Sequence, residues 1–354
     1  DRSPSRGLGD VYKRQVVTGG AGMIGSNLVT GLASAGHDVV VIDDFSRGTK
    51  RNLDEAIATG GKPVEVVVAD LSVPGDWAEH FAGADAVYHL ADVVAGVGFV
   101  FDNEGAVFRQ NLLINANVAN AVAAKKPGRY IYVGTACSFP MEIQTGVDAP
   151  PMREEQQLPA NPESGYGWSK LMGEFDAKYL HKQNDIPSVV LVLHNVYGTP
   201  CEFTGKKAQA IPAIIHRALT TDEGTLSVWG SGQQGRAFLH VSDVTRALLL
   251  ALEKGEGQGP IQIGPNICTS IATIAETVVS LTDRGLQVEY DMTKPEGDRG
   301  RCADYSKATS VLGWKPEVEL KHGLAATLSW IKERLDETEV DGAEAEGVRR
   351  SPNM

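Results

Sequence analysis

Residues 16–25 read VVTGGAGMIG and combine two strand-forming valines, a glycine-rich turn and the start of an apolar helix. Within this stretch Gly19, Gly22 and Gly25 are spaced three residues apart. In a strand–turn–helix unit one such glycine makes the tight turn, one lets the backbone approach a pyrophosphate, and one allows close packing of helix on strand. The N–H groups at the start of the helix then face the anion. The stretch therefore predicts a site for the diphosphate of a dinucleotide.

The next predicted strand ends at two acidic residues. Residues 38–42 form the largely apolar run DVVVI, and Asp43 and Asp44 follow it, 18 and 19 residues after Gly25. An acidic side chain at this position can accept a hydrogen bond from a ribose 2′-hydroxyl and would repel a 2′-phosphate. The pattern favours NAD over NADP, and a nearby cation, Arg47, would weaken that preference.

Further apolar stretches continue the alternation of strand and helix. Strands are predicted at 63–69, 86–90, 129–133 and 188–193, and the clearest helices at 111–124 and 169–183. This alternation predicts an α/β fold with a doubly wound parallel sheet of the Rossmann type. Ligands bind at the carboxyl ends of the strands in such sheets. The residues predicted at these ends, beside the cofactor, are Asp70, Leu71, Leu90, Ala91 and Asp92; capping of a helix is an equally good interpretation for Asp70.

The pattern changes after residue 194, where glycine and proline become frequent and the predicted strands become short. We predict a dinucleotide-binding domain at 16–193 together with about 238–266. A smaller C-terminal substrate-binding lobe is predicted at 194–237 and 267–335. It closes with an amphipathic helix that carries, on one face, Leu324, Leu328, Ile331 and Leu335.

The two ends of the chain lack this patterning. Residues 1–15 and 336–354 are predicted to be tails outside the fold, because neither carries enough apolar residues to join a core. The first stretch is interpreted either as an addition that is not native or as a disordered arm. Strand one would then begin at Val16.

Composition limits the class of partner. The chain has 354 residues, 42% of them hydrophobic, and 33 basic against 45 acidic residues give a net charge of −12. An acidic protein is poorly suited to the phosphates of nucleic acid, so no nucleic-acid partner is predicted. No uncharged apolar run approaches the ~20 residues that span a bilayer, so no membrane partner is predicted either. The four cysteines form no CxxC pair, so we expect no metal site and no disulfide framework, and we place the protein in the reducing cytoplasm.

Tyr166 and Lys170 are four residues apart in a predicted helix and so share one face. An ammonium beside a phenol favours the phenolate and lowers its pKa. Such a tyrosine can take a proton from a sugar hydroxyl while NAD takes the hydride. The alternative is a Tyr–Lys pair on the surface. The residues predicted to bind the cofactor are Gly19, Gly22, Met23, Ile24, Gly25, Asp43, Asp44, Asp70, Leu71, Leu90, Ala91, Tyr166 and Lys170.

Two further candidates follow the fifth predicted strand. Thr135 is placed to hydrogen-bond the reacting hydroxyl, and Cys137 to reach the same pocket. A thiol with a pKa of about 8.5 can exchange a proton with a carbon acid if a cation or dipole tunes it. The alternative for Cys137 is a small buried hydrophobe. The predicted catalytic residues are therefore Tyr166, Lys170, Thr135 and Cys137.

Together these motifs resemble the extended short-chain dehydrogenase/reductases, the NAD-dependent sugar-nucleotide epimerases and dehydratases. The resemblance covers roughly residues 14–335 and rests also on the stretches His89–Ala91, 195–198, 228–243 and 294–316. It implies an enzyme that binds NAD and a nucleotide sugar, and a homodimer formed through helices such as 111–124 and 169–183. It also implies that Arg236 and Arg301 grip the nucleotide diphosphate, since the guanidinium fork binds phosphate oxygens in pairs. The residues predicted to contact the substrate are Gly98, Asn195, Lys206, Lys207, Trp229, Arg236 and Arg301.

The residues that follow Thr135 indicate which enzymes within that family the chain resembles most. Ala136 and Cys137 stand where the dehydratases carry Asp-Glu, and Thr-Ala-Cys-x-x-Pro resembles the GDP-mannose 3,5-epimerases and GDP-L-fucose synthases. The stretches 95–99, 194–198 and 295–301 look more like the former. The resemblance implies epimerisation of a GDP-mannose-type sugar at C5, or at C3 and C5, next to a transient C4 ketone.

Three alternatives stay open: a UDP-hexose 4-epimerase, a GDP-4-keto-sugar epimerase/reductase, and a non-catalytic NAD-binding module on the same fold. One departure bears on them. The related epimerases place a second acid/base, Lys or His, shortly before a proline that corresponds to Pro212, and here Gln209 stands at that position. Lys206 or Lys207 would substitute for it if the loop brings either into the pocket; otherwise they form a charged loop tip.

Overall fold

The computed structural model describes residues 13–60, 63–94, 97–144, 146, 148–205, 208–294 and 300–349. The strands are β1 (Arg14–Thr18), β2 (Asp38–Asp43), β3 (Val64–Val68), β4 (Ala86–His89), β5 (Tyr130–Thr135), β6 (Ser188–Leu193), β7 (Asn195–Tyr197), β8 (Thr225–Trp229), β9 (Gly235–Arg236), β10 (Phe238–His240), β11 (Pro260–Ile263), β12 (Thr269–Ser270), β13 (Gln287–Asp291) and β14 (Gly300–Arg301). The helices are α1 (Met23–Ser34), α2 (Lys50–Gly60), α3 (Val97–Asp102), α4 (Glu104–Lys125), α5 (Gly165–Asn184), α6 (Ala210–Thr220), α7 (Val241–Ala251), α8 (Ile271–Thr282), α9 (Ser306–Leu312) and α10 (Leu320–Arg349).

Seven parallel strands form the main sheet in the order β3-β2-β1-β4-β5-β6-β11. The α/β prediction is confirmed. The central strands are buried along most of their length because helices cover both faces. Within β1, for example, Val16 and Val17 are both fully buried but belong to different cores on opposite faces of the sheet. The strand order reverses between β1 and β4, so the carboxyl ends of these strands open a crevice for a ligand.

A second lobe lies over that crevice. There β8 pairs in parallel with β13, and α6, α8 and α10 pack around them to form a third core. The leucine and isoleucine face predicted for the closing helix packs into this core, with Leu324, Leu328 and Ile331 buried. Between the parts of this lobe the chain returns to the first lobe, where α7 packs on α1 and β11 extends the main sheet beside β6. None of the described helices is both long enough and apolar enough to cross a bilayer.

Both predicted boundaries of the fold need correction. β1 begins at Arg14, not Val16, because Arg14 pairs with Asp38 of β2 and Gln15 is fully buried in the strand. Residues 1–12 lie outside the described residues. At the other end α10 continues to Arg349, past the predicted end near residue 336. This part of the chain is rich in Ala and Glu, which are good helix formers.

Candidate active site

One cavity of about 1300 Å³ lies over the carboxyl ends of the sheet strands and under the second lobe. Every predicted site residue that the structure describes lines it. From the first lobe these are Gly19, Gly22, Met23, Ile24, Gly25, Asp43, Asp44, Asp70, Leu71, Leu90, Ala91, Gly98, Thr135, Cys137, Tyr166 and Lys170, and from the second Asn195, Trp229, Arg236 and Arg301. Lys206 and Lys207 lie outside the described residues.

The glycine turn between β1 and α1 has the shape that a pyrophosphate needs. Gly19 has a positive φ of 69°, and a Cβ there would lie 2.7 Å from the backbone N of Ala91. A Cβ on Gly25 would lie 2.2 Å from the carbonyl oxygen of Gly19, so only glycine lets the helix approach the turn this closely. Gly22 is the N-cap of α1 and no described side chain caps it. The N–H groups of the first helical turn therefore remain for an anionic ligand, which fits a dinucleotide.

Asp43 fastens this turn to the end of β2. Its Oδ2 accepts from the backbone N of Ala21 at 2.9 Å and its Oδ1 from that of Phe45 at 2.8 Å. Burial raises the pKa of the Asp43 carboxyl. The neighbouring Asp44 is exposed on the cavity, where its Oδ1 accepts from the backbone N of Ser46. Each carboxylate oxygen keeps acceptor capacity beyond these bonds, so the predicted contact with a ribose hydroxyl stays a prediction for both acids.

Tyr166, in the first turn of α5, contacts the carboxylate of Asp92. Its hydroxyl donates to Oδ2 of Asp92 at 3.1 Å and also bonds to the Thr135 side chain. Lys170 Nζ lies 3.3 Å from the same Asp92 oxygen, and its side chain is only 2% exposed, so this is no surface pair. The predicted lowering of the Tyr166 pKa is wrong. Burial, and after it the negative charge of Asp92, raise that pKa well above its usual value.

A buried, neutral histidine, His89, joins the hydrogen-bond network behind the Tyr166–Asp92–Lys170 group. His89 is buried, with Nδ1 2.8 Å from Thr18 Oγ1 and Nε2 3.1 Å from Asn115 Oδ1. Burial lowers the pKa of His89 to about 3, so the ring stays uncharged beside Lys170. Asn115 donates in turn to the carbonyl of Ser169 at 3.0 Å. These bonds connect β1, β4 and α4 to the helix that carries Tyr166 and Lys170.

Cys137 lies in a short 3-10 turn directly after β5. Its backbone N donates to Thr135 Oγ1 at 3.2 Å, which fixes the thiol relative to the threonine. Arg301 of β14 donates through Nη1 to Cys137 Sγ at 3.5 Å and to Gln144 Oε1 at 3.2 Å. The guanidinium is thus a direct hydrogen-bond donor to the Cys137 sulfur. The thiol is half-buried and lines the cavity, and its predicted part in the chemistry stays a prediction.

Both arginines that are predicted to bind the diphosphate line the cavity. Arg301 is 6% exposed and its guanidinium contacts the thiol. The predicted contact of Arg301 with a diphosphate stays a prediction. Arg236 lines the cavity from β9, and Arg217 of α6 lines it as well. Burial lowers the pKa of Arg217.

Gln144 and Arg217 are missing from the sequence-based list of site residues, and Asp92 is predicted beside the cofactor but without a role in the chemistry. Asp92 follows Leu90 and Ala91 at the end of a strand, so its position carries a signal that it lies near the cofactor. Gln144 and Arg217 carry no signal of this kind, because each reaches the site only through packing between distant segments. Gln209, at the position of the second acid/base in related epimerases, lines the cavity as the N-cap of α6.

Comparison with known proteins agrees with this site. A sequence model described as the NAD dependent epimerase/dehydratase family matches residues 15–264. GDP-mannose 3,5-epimerase 1 of Oryza sativa subsp. japonica is 31% identical over 337 residues, which cover 95% of this chain and 86% of that protein. UDP-glucose 4-epimerase of Thermotoga maritima, solved with UDP-glucose, matches with a TM-score of 0.81 at 26% identity, over 91% of this chain and 99% of that one. A variant of UDP-glucuronic acid 4-epimerase from Bacillus cereus, solved with NAD and a UDP-sugar, matches with a TM-score of 0.74 at 26% identity, over 90% of this chain and 99% of that one.

These likenesses define an enzyme that uses NAD and acts on sugar nucleotides. The chain belongs to the NAD-dependent epimerase/dehydratase family, and the matched region takes in nearly all of the seven-stranded sheet. When bound, NAD supplies the hydride acceptor and donor for such chemistry.

Proposed function

We propose that the protein epimerises a GDP-sugar of the mannose type, at C5 or at C3 and C5, next to a transient ketone at C4. The observation that carries this proposal is the contact of Arg301 with Cys137, in the same cavity as Tyr166 and Thr135. A 4-epimerase needs acid–base chemistry only at the C4 hydroxyl. A second acid–base group with its own cation suits proton exchange at a neighbouring carbon.

In this proposal Tyr166 takes the proton of the C4 hydroxyl and later returns it. Thr135 bonds the Tyr166 hydroxyl and is placed to orient the reacting hydroxyl beside it. Lys170 and Asp92 hold the other side of the phenol. A ketone at C4 makes the neighbouring C–H bonds acidic, and Cys137 then removes or returns a proton at one of those carbons.

The diphosphate of the substrate is assigned to the second lobe. Arg236 and Arg217 line the cavity there, with Asn195 at the start of β7 and Trp229 at the end of β8. The guanidinium fork suits phosphate oxygens. The partly exposed Trp229 ring offers a face on which a nucleotide base or a sugar can stack. The second acid/base stays unassigned, with Lys206 and Lys207 as candidates and Gln209 as the described residue at the expected place.

A UDP-hexose 4-epimerase is the second candidate, and the likeness to the Thermotoga maritima enzyme favours it. In that case Cys137 would take no part in the chemistry. A GDP-4-keto-sugar epimerase/reductase is less well supported, because it consumes NADPH and Asp43 and Asp44 disfavour a 2′-phosphate.

We also propose a homodimer in the cytoplasm. Large apolar side chains are exposed on neighbouring faces of α4 and α5, and these are Leu113, Trp168, Met172 and Tyr179. Patches of this kind mark protein–protein contacts, and self-pairing of the two helices would bury them. The four cysteines are free thiols in the described structure, which agrees with a reducing compartment. Sedimentation of the protein and of a Trp168→Glu variant tests the dimer: the variant should sediment as a monomer, and a monomeric parent protein would contradict the proposal.

The substrate is tested with GDP-mannose and UDP-glucose, each incubated separately with the NAD-loaded protein. Proton NMR of the sugar ring reads the configuration of the product. New signals from sugars inverted at C5, or at C3 and C5, should appear with GDP-mannose only. Conversion of UDP-glucose to its C4 epimer, with GDP-mannose untouched, would overturn the proposal in favour of the 4-epimerase.

A further inference from the structure

Asp92 lies between the two members of the acid–base pair on α5. It follows β4, and one of its oxygens, Oδ2, is 3.1 Å from the Tyr166 hydroxyl and 3.3 Å from Lys170 Nζ. Its side chain is 14% exposed and that of Lys170 only 2%. The carboxylate is therefore part of the cavity wall and contacts a phenol and an ammonium with a single oxygen.

The buried ammonium needs this carboxylate. An unpaired charge is costly away from water, so a buried lysine requires a compensating partner. The other groups near Lys170 give weaker compensation: the Tyr132 ring centroid is 4.8 Å from Nζ, and His89 is neutral. Burial raises the pKa of the Glu174 carboxyl to about 7, so part of its population is uncharged at neutral pH. Asp92 is thus the direct ion-pair partner of Lys170. Its negative charge lies next to the Tyr166 hydroxyl and compensates the positive charge of Lys170.

We propose that Asp92 is a positioning residue for Tyr166: it orients the phenol hydroxyl, holds Lys170 beside it, and compensates the positive charge that would otherwise favour the phenolate. The inference rests on the proposed function in one respect, since Tyr166 must be the group that moves the proton. Asp92 itself touches neither of the reacting carbons in this scheme. It acts through the orientation and ionisation of Tyr166.

The charged and titratable surroundings of Tyr166 agree with this role. Burial raises the Tyr166 pKa most, the charge of Asp92 comes next, and Cys137 adds to it, whereas the bond to Thr135 lowers it. The groups that act on Tyr166 are Asp92 after β4, Tyr132 on β5, and Thr135 and Cys137 at the end of β5. Lys170, on the same helix as Tyr166, contacts the Asp92 oxygen that the phenol also bonds, and Glu104 of α4 bonds the backbone of the preceding Gly165. Among the carboxylates in this set, only Asp92 bonds the phenol.

The test replaces Asp92 by Asn, which keeps an acceptor oxygen but removes the charge. Lys170 then acts on Tyr166 uncompensated, so the pKa of the phenol should fall. The acidic limb of the pH profile of kcat should move to lower pH by about one unit or more. Asp92→Ala also loses the acceptor and should lower the plateau of kcat as well, with KM little changed. Asp54→Asn, at an exposed carboxylate on α2, is the control and should keep the parent profile.

A second measurement needs no turnover. The near-ultraviolet absorbance of tyrosinate is titrated in the NAD-loaded protein, and a Tyr166→Phe variant identifies the contribution of Tyr166. Tyr166 should titrate at lower pH in Asp92→Asn than in the parent. If Asp92→Asn does not fold, Lys170→Gln and the double variant Asp92→Asn/Lys170→Gln replace the pair, and Tyr166 should titrate lower in the double variant.

An unchanged tyrosinate titration would overturn the inference, as would an acidic limb of kcat that stays in place or moves to higher pH. The proposed function can fail separately. A shifted titration in a protein that converts neither GDP-mannose nor UDP-glucose would leave the role of Asp92 intact and refute only the substrate. Turnover of GDP-mannose with no shift in either readout would keep the function and refute the role of Asp92.

Discussion

Arg301 Nη1 lies 3.5 Å from Cys137 Sγ, although the two residues are 164 positions apart and belong to different lobes. The contact joins β14 of the second lobe to the turn after β5 of the first. A thiol next to a guanidinium is suited to act as an acid and as a base. Under the proposed function, the second lobe would therefore contribute to the chemistry as well as to the binding of the nucleotide.

Loss of this guanidinium should slow proton exchange more than oxidation at C4. In Arg301→Met the Cys137 sulfur loses a hydrogen bond from a charged donor worth about 2 kcal/mol, which corresponds to about a 30-fold slower exchange. Incorporation of solvent deuterium into the sugar measures exchange, and transient reduction of the cofactor measures oxidation. Arg153→Met, at an exposed arginine that pairs with Asp304, serves as the control. Equal losses in both rates would show that Arg301 only binds substrate.

Removal of the thiol should separate the two half-reactions further. Cys137→Ala should reduce deuterium exchange by at least about 100-fold, the lower end of the usual contribution of a general acid–base group. Reduction of the cofactor should persist, since Tyr166 and Thr135 are intact. Cys201→Ser is the matched control, because burial raises the pKa of the Cys201 thiol to about 12 and the group stays protonated. Retention of exchange in Cys137→Ala would assign Cys137 to packing.

The glycine turn offers a test of stability. Gly25→Ala places a Cβ 2.2 Å from the Gly19 carbonyl oxygen, and the resulting overpacking should cost about 3 kcal/mol of the free energy of unfolding. Gly22→Ala is the control, because its Cβ meets that oxygen at 3.5 Å, an ordinary contact, and the helix N-cap has a φ of −73°. Urea denaturation measures both. A Gly25→Ala protein as stable as the Gly22→Ala protein would contradict the described packing of α1.

Burial of Glu174 should make stability depend on pH. Its Oε2 accepts from Gln157 at 2.8 Å, but burial raises the pKa of the carboxyl from 4.5 to about 7. The folded protein thus holds this proton more tightly than the unfolded chain. The stabilisation that Glu174 gains from binding this proton amounts to about 3 kcal/mol of the free energy of unfolding. It is fully present below about pH 4.5 and is lost as the pH rises through about 7.

Denaturation of the parent and of Glu174→Gln at several pH values measures whether stability falls with rising pH as expected. The variant should lose this part of the pH dependence and gain stability relative to the parent above pH 7. Glu79→Gln, at an exposed glutamate that pairs with Lys125, should keep the dependence of the parent. A parent protein that grows more stable between pH 5 and 8 only when Glu174 is present would contradict the account.

Local pattern predicts much of the fold. The strand predicted at 188–193 coincides with β6, because it is an extended apolar run that is bounded by turn residues. The start of β1 is missed, since Arg14 and Gln15 are polar residues that are held by the neighbouring strands rather than by their own propensity. The C-terminal extension of α10 is missed because Ala and Glu give helical propensity without an apolar stripe.

For the site, too, the features that depend on local sequence are predicted and those that depend on distant segments are not. The glycine turn and the Tyr166–Lys170 spacing are local, and their placement in one cavity follows from the order of strands in the sheet. The pKa of Tyr166 is raised first by burial and then by Asp92, 74 residues away, and so a Tyr–Lys motif taken alone gives the wrong sign. The contact between Arg301 and Cys137 depends on how the second lobe docks, which no local pattern specifies.

The most direct test of the central claim is incubation of the NAD-loaded protein with GDP-mannose in D₂O, followed by proton NMR of the recovered sugar. Proton exchange beside a C4 ketone predicts deuterium at C5, or at both C3 and C5, and its loss in Cys137→Ala. A sugar recovered without deuterium at either carbon, while UDP-glucose is inverted at C4, would contradict the claim.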